Sequence, residues 1–85
     1  MSNSTNTFTV LYFSFFQEKA GKPEEKRPLA PSLTTKELFE TICDELNLND
    51  QEVLVRVSVN HQFADWDYLI QPDDIVAFIP PVAGG

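Results

Sequence analysis

Apolar positions fall into three β-like runs and one helical stripe. Thr7 to Phe16 is dense in β-branched and aromatic residues and reads as a first strand. Both of its faces are apolar, with Phe8, Val10, Tyr12 and Phe16 on one and Leu11, Phe13 and Phe15 on the other. Such a strand is either covered twice or keeps one face for a partner. Val53 to Val59 alternates, with Val55, Val57 and Val59 opposite Leu54, Arg56 and Ser58, which predicts a strand with one buried face. Ile75 to Ile79 is apolar throughout and is expected at the centre of a sheet.

The helical stripe is Leu38, Phe39, Ile42, Cys43 and Leu46. Thr34-Thr35-Lys36-Glu37 fits a reciprocal capping box at its start, and Leu33 is placed to staple against Leu38. Glu37, Glu40, Asp44 and Glu45 mostly face water, and Asn47 suits a left-handed cap with Leu48 folding back on the last turn. Between these elements, Gln17 to Arg27 carries Gly21, Pro23 and alternating charges and predicts a mobile, solvated connection. Pro28 to Leu33 predicts a short strand that its prolines confine to a sheet edge. Asn49 to Glu52 reads as a polar link, and Asn60-His61-Gln62 as a turn into a short return strand around Phe63. Trp66, Tyr68 and Leu69 are expected to cap one end of the core, and Gln71-Pro72-Asp73-Asp74 to form the turn before the last strand.

This order gives an α+β roll in which one main helix covers one face of a mixed, four- to five-stranded sheet. If the first and last strands are neighbours they run parallel, which is the plan of a ubiquitin-like β-grasp. The expected organisation is a disordered N-terminus over 1–6, a domain over 7–79 and an extended tail over 80–85.

Charge and composition narrow the function. With 13 acidic against 6 basic residues the formal net charge is −7, which disfavours nucleic acid or an anionic membrane as partner and favours a basic one. The single cysteine, Cys43, excludes an internal disulfide and falls on the buried stripe, where it is expected to pack as a small hydrophobe. The single histidine, His61, reads as an exposed turn residue, and no metal is expected. The run Phe8 to Phe16 is too short to span a bilayer and has neither the basic flank nor the cleavage site of a signal peptide, so a cytoplasmic protein is expected. No phosphate loop or catalytic triad is present in the sequence.

The candidate chemistry lies in the tail. Pro80 and Pro81 lack N–H donors and end the last strand, and a double proline favours a stiff extended segment. Val82, Ala83, Gly84 and Gly85 follow. Glycines without Cβ atoms pass through a channel too narrow for other residues and leave the terminal carbonyl carbon of Gly85 open to attack.

Val10-Leu11-Tyr12-Phe13, the helix start from Leu33 to Leu38, and the stretches from Val59-Asn60-His61-Gln62 to Asp74-Ile75-Val76-Ala77-Phe78-Ile79-Pro80-Pro81-Val82-Ala83-Gly84-Gly85 together resemble the family of molybdopterin synthase small subunits. Sulfur carriers of thiamine synthesis and ubiquitin-like modifiers share the double glycine, but usually lack the preceding Phe-Ile-Pro-Pro-Val pattern. The chain departs from the family at Gln17-Glu18, where an arginine followed by a glutamate is frequent, and at Asp73, where glycine is usual. Aspartate tolerates left-handed angles better than most residues.

The resemblance implies a sulfur carrier in molybdenum cofactor biosynthesis. A ubiquitin-activating-like adenylyltransferase would use ATP to adenylate Gly85, a sulfur donor enzyme would leave a thiocarboxylate there, and the large subunit would receive the tail, with two small and two large subunits in the complex. The sulfur acceptor would be cyclic pyranopterin monophosphate and the product the molybdopterin dithiolene. The carrier would need no permanently bound cofactor and no general base of its own, because its partners supply the catalytic groups. The resemblance also implies hydrophobic contact with the large subunit at Phe13, Phe63 and Ile79. A carrier for thiamine or cysteine synthesis, and a protein modifier joined to target lysines, are the alternative readings.

Overall fold

The structure, a computed structural model, describes residues 6–48 and 55–80. The expectations for Met1 to Thr5, the link Asn49 to Glu52, Val53, Leu54 and the tail from Pro81 to Gly85 lie outside the described residues. The elements run β1 (Thr7–Tyr12), α1 (Ser14–Ala20), β2 (Glu24–Pro28), α2 (Thr35–Glu45), β3 (Arg56–Val59), β4 (Gln62–Phe63) and β5 (Ile75–Ile79). They build one five-stranded sheet in the order β2-β1-β5-β3-β4. The strand read as apolar throughout and expected at the centre, β5, is central, parallel to β1 and antiparallel to β3.

One face of this sheet carries the core. Phe8, Val10 and Tyr12 of β1, Val57 and Val59 of β3, and Val76 and Phe78 of β5 are buried in one cluster with Leu38, Phe39, Ile42 and Cys43 of α2. The helix forms where its sequence signals stand. Thr34 Oγ1 accepts from the Glu37 N–H and Glu37 Oε1 accepts from the Thr34 N–H, each at 3.1 Å, which closes the capping box. Its far end stops at Asn47, with φ 58°, while the Leu48 N–H turns back to the Cys43 carbonyl at 2.8 Å. Trp66 lies over Phe39 and Phe78, with ring centroids 5.3 and 6.2 Å away. Leu69, expected beside it as a cap, is instead exposed.

Three expectations are corrected. The first strand ends at Tyr12, and Ser14–Ala20 is a helix. The face assigned to Phe16 is right, since it is fully buried with Phe8, Val10 and Tyr12, but it arrives there by helical spacing with Ala20 rather than by alternation. Gly21 ends α1 at φ 77°, its N–H bonded to the Gln17 carbonyl at 2.9 Å.

The solvated connection from Gln17 to Arg27 is also not what forms, because α1 and the edge strand β2 occupy it. That edge strand falls at Glu24–Pro28 rather than Pro28 to Leu33 and pairs antiparallel with β1. A charged segment becomes a strand here because its two inward residues pair off. The Glu25 carboxylate accepts from the Tyr12 hydroxyl at 2.5 Å and from Arg27 Nε at 2.8 Å. Arg27 reaches on to Glu45 at the end of α2, so one guanidinium joins the edge strand to the helix.

Candidate functional site

The second face of the sheet is not covered by a helix; it forms a shallow apolar groove. Its floor is made by Ser58 and Ala77, which sit opposite each other in the β3–β5 register and are too small to fill the space above them. Larger side chains stand around this floor: Leu11, Ile75 and Ile79 from the strands, Phe13 from the β1–α1 junction, and His61 and Phe63 from the β3–β4 hairpin. Phe13 is 43% and Phe63 62% exposed, unusually high for rings on the face of a sheet. The groove thus gathers the three residues that sequence resemblance marked for partner contact, Phe13, Phe63 and Ile79, from positions far apart in the chain.

Local geometry explains why these rings point outward. Phe13 is extended at φ −119°, but Ser14 turns at φ 52°, so the chain leaves the sheet before Phe13 can be covered. Phe63 follows a two-residue hairpin in which Asn60 and His61 both have left-handed angles, φ 54° and 72°, the backbone that a primed turn requires. His61 is exposed in this turn as expected, and its side chain also borders the groove.

A buried carboxylate fixes the hairpin. Asp74 is 6% exposed and accepts from Asn60 Nδ2 at 2.9 Å, the Tyr68 hydroxyl at 2.8 Å and the Gln71 N–H at 2.8 Å. Asn60 returns the contact, its Oδ1 accepting from the Ile75 N–H at 3.0 Å. The bond to Asp74 holds the Tyr68 hydroxyl above its ordinary value. Asp74 thereby ties the hairpin to the start of β5, the strand that leads to the tail. Sequence reading placed Asp74 only in a turn; the pairing of Asn60 with Asp74 is a contact between distant residues that no local pattern reveals. Asp73 takes φ 68°, so aspartate does adopt the left-handed angle at the position where glycine was expected.

Beyond Ile79 the strand ends at Pro80. Gly85 and the tail residues Pro81, Val82, Ala83 and Gly84 lie outside the described residues, so their expected chemistry is taken up as a proposal below. Cys43 is buried in the core. Among the described residues no group of His, Cys, Asp and Glu could hold a metal ion, and no helix is long and apolar enough to cross a membrane.

A mixed sheet whose parallel first and last strands sit at its centre, with the main helix on one side and an open face on the other, defines a ubiquitin-like β-grasp protein. Within that class the chain belongs to the ThiS family, whose model matches residues 10–85. It is 37% identical over 91 residues, all of both chains, to a protein of Aspergillus niger named molybdopterin synthase sulfur carrier subunit. Among solved structures it resembles one from Pyrococcus furiosus, described as a candidate molybdopterin converting factor, subunit 1. That match has a TM-score of 0.77 and 26% identity, and covers 92% of this chain and 100% of that one. The fold is shared as well by small archaeal modifier protein 1 of Haloferax volcanii, with TM-score 0.75, 16% identity, and 91% and 99% of the two chains covered.

Proposed function

We propose that this chain is the sulfur carrier subunit of a molybdopterin synthase. The observation that carries the reading is the correspondence with the Aspergillus niger carrier along the whole of both chains. The groove supports it, because an open apolar face beside the exit of β5 offers a large subunit a surface to hold while it takes the tail.

The chemistry follows from what a carboxylate lacks. Hydroxide is too poor a leaving group for sulfur to displace from Gly85, so an adenylyltransferase first joins the carboxylate to AMP from ATP and releases pyrophosphate. Sulfur from the donor then attacks the acyl carbon and AMP departs: sulfide gives the thiocarboxylate directly, whereas a persulfide gives an acyl disulfide that a thiol cleaves to the thiocarboxylate, leaving a disulfide on the donor. The tail enters the large subunit, its sulfur attacks a carbon of cyclic pyranopterin monophosphate, and water then cleaves the acyl–sulfur bond, leaving the sulfur on the pterin and a carboxylate at Gly85. Two deliveries complete the dithiolene, in keeping with an assembly of two small and two large subunits. The acidic body suits a basic tunnel mouth on the partner.

Intact-mass measurement after incubation with ATP, the cognate activating enzyme and a sulfur donor tests the proposal. The expected product is heavier by the difference between one sulfur and one oxygen atom, and deletion of Gly85 abolishes both the gain and pterin sulfuration. Normal sulfuration by the Gly85-deleted chain would overturn the reading. The same fold serves a modifier, so denaturing gels of cell extract separate that alternative: a ladder of larger adducts supports a modifier, and a single band supports a carrier. A carrier for thiamine or cysteine synthesis would gain the same mass but fail to sulfurate the pterin.

A further inference from the structure

We propose that Arg56, stacked on Phe63 at the rim of the groove, is the residue that selects the partner surface by pairing with a carboxylate of the large subunit. This rests on the functional reading above and specifies the chemistry of the surface that meets the groove.

Arg56 opens β3 and is exposed. Two residues before Ser58, it shares the face on which Ser58 forms the groove floor, and it stands opposite Ile79, the last residue of β5. Its guanidinium carbon lies 4.0 Å from the centre of the Phe63 ring. The stack does two things. It limits the rotamers of a ring that is 62% exposed, which lowers the ordering cost of docking. It also holds the guanidinium carbon over the ring while its N–H groups, which have no hydrogen-bond partner among the described residues, remain available for a two-point contact with a carboxylate.

The charge pattern says what occupies those edges. Among the described residues the ion pairs join Lys22 and Arg27 to Glu25 and Glu45, and none involves Arg56. No acidic side chain lines the groove. Lys19 and Lys36 lie on α1 and α2, and Lys26, although it stands on the open face opposite Thr9, is on the edge strand β2, separated from β3 by β1 and β5. Among the described residues, therefore, a cation with no ion-pair partner stands beside the open apolar groove of a chain with net charge −7. The net charge draws the chain toward a basic partner, but at this point the partner must carry the opposite sign. A basic surface without a carboxylate here would be repelled by Arg56 and leave its N–H groups unpaired.

Calorimetric titration of the full chain against its cognate large subunit tests this. Arg56→Glu is expected to weaken binding about tenfold or more, as reversal of a charge at a partly desolvated pair does. Arg56→Lys keeps the charge but loses the fork and is expected to fall between the two. Lys36→Glu changes net charge by the same amount on α2 and should bind within about twofold of wild type. The gap between wild type and Arg56→Glu should narrow as salt is raised, a response that loss of packing alone would not give, while the melting temperature of Arg56→Glu stays near that of wild type. Equal binding by wild type and Arg56→Glu, or an equal loss in Lys36→Glu, would overturn the assignment and leave the functional reading standing. Failure of the wild-type chain to bind the large subunit would overturn both.

Discussion

Glu25 is the residue whose protonation the fold feels most. Burial works against its ionisation, but donors from Lys22, Tyr12 and Arg27 outweigh it and hold the carboxyl at about 2 rather than its ordinary 4.5. Because the folded-state value is the lower one, the stability it contributes is intact above 4.5 and is lost as pH falls toward about 2. Glu25→Gln should lower the melting temperature at neutral pH by roughly 4–8 °C, the shift that about 1 kcal/mol produces in a domain of this size. Its melting temperature should also fall less steeply below pH 4.5 than that of wild type. A melting series in both proteins checks both statements. Residual acid sensitivity is expected from Glu45, whose bond to Arg27 also holds it below its usual value. At the alkaline end Tyr12, pushed by burial and by Glu25 to about 12, resists ionisation in the fold, so stability declines as pH rises from its ordinary 10 toward that value.

Among the elements, the β3–β4 hairpin places a non-glycine residue at each of its two left-handed turn positions. Asn60 suits the first left-handed position, but His61 occupies the second, where glycine is favoured. His61→Gly should therefore raise the melting temperature by a few degrees, corresponding to about 0.5–1 kcal/mol, provided that the Asn60–Asp74 contact persists. Thermal denaturation decides it, and a lower melting point would show that the imidazole contributes more than the turn costs. Elements with a local chemical signature were legible in the sequence: the capped helix α2, the apolar central strand β5, and the turn at Asp73. The elements that were not legible take their form from distant contacts. β2 has no apolar side chain to bury and exists as a strand because Glu25 and Arg27 meet Tyr12 and Glu45 across the fold. α1 continues an aromatic run that reads as strand, and only the packing of Phe16 against Phe39 and Phe78 shows that the chain has already turned. The groove was legible in part, since Phe13, Phe63 and Ile79 were named in advance, whereas its small floor and the Arg56 stack depend on register across the sheet.

On the scale of the whole molecule, the two faces of one sheet divide the labour. The face under α2 holds the fold together, and the other face is an open apolar groove, which the proposed function uses for association. Removing a side chain from the open face should therefore separate binding from stability. Phe13→Ala is expected to weaken association with the large subunit by about tenfold or more, as loss of an exposed aromatic anchor does. Its melting temperature should change little, because the ring is 43% exposed and outside the core cluster. Unchanged binding together with a clear fall in melting temperature would reverse that division.

The placement of β5 also has a mechanical side. It is bonded along one edge to β1 and along the other to β3, and the tail continues from its last residue. A pull on the C-terminus acts along the strand and loads both ladders in shear, so many hydrogen bonds must yield together rather than one after another. In the proposed function, the end of the chain can thus be drawn into a partner while the body behind it stays anchored.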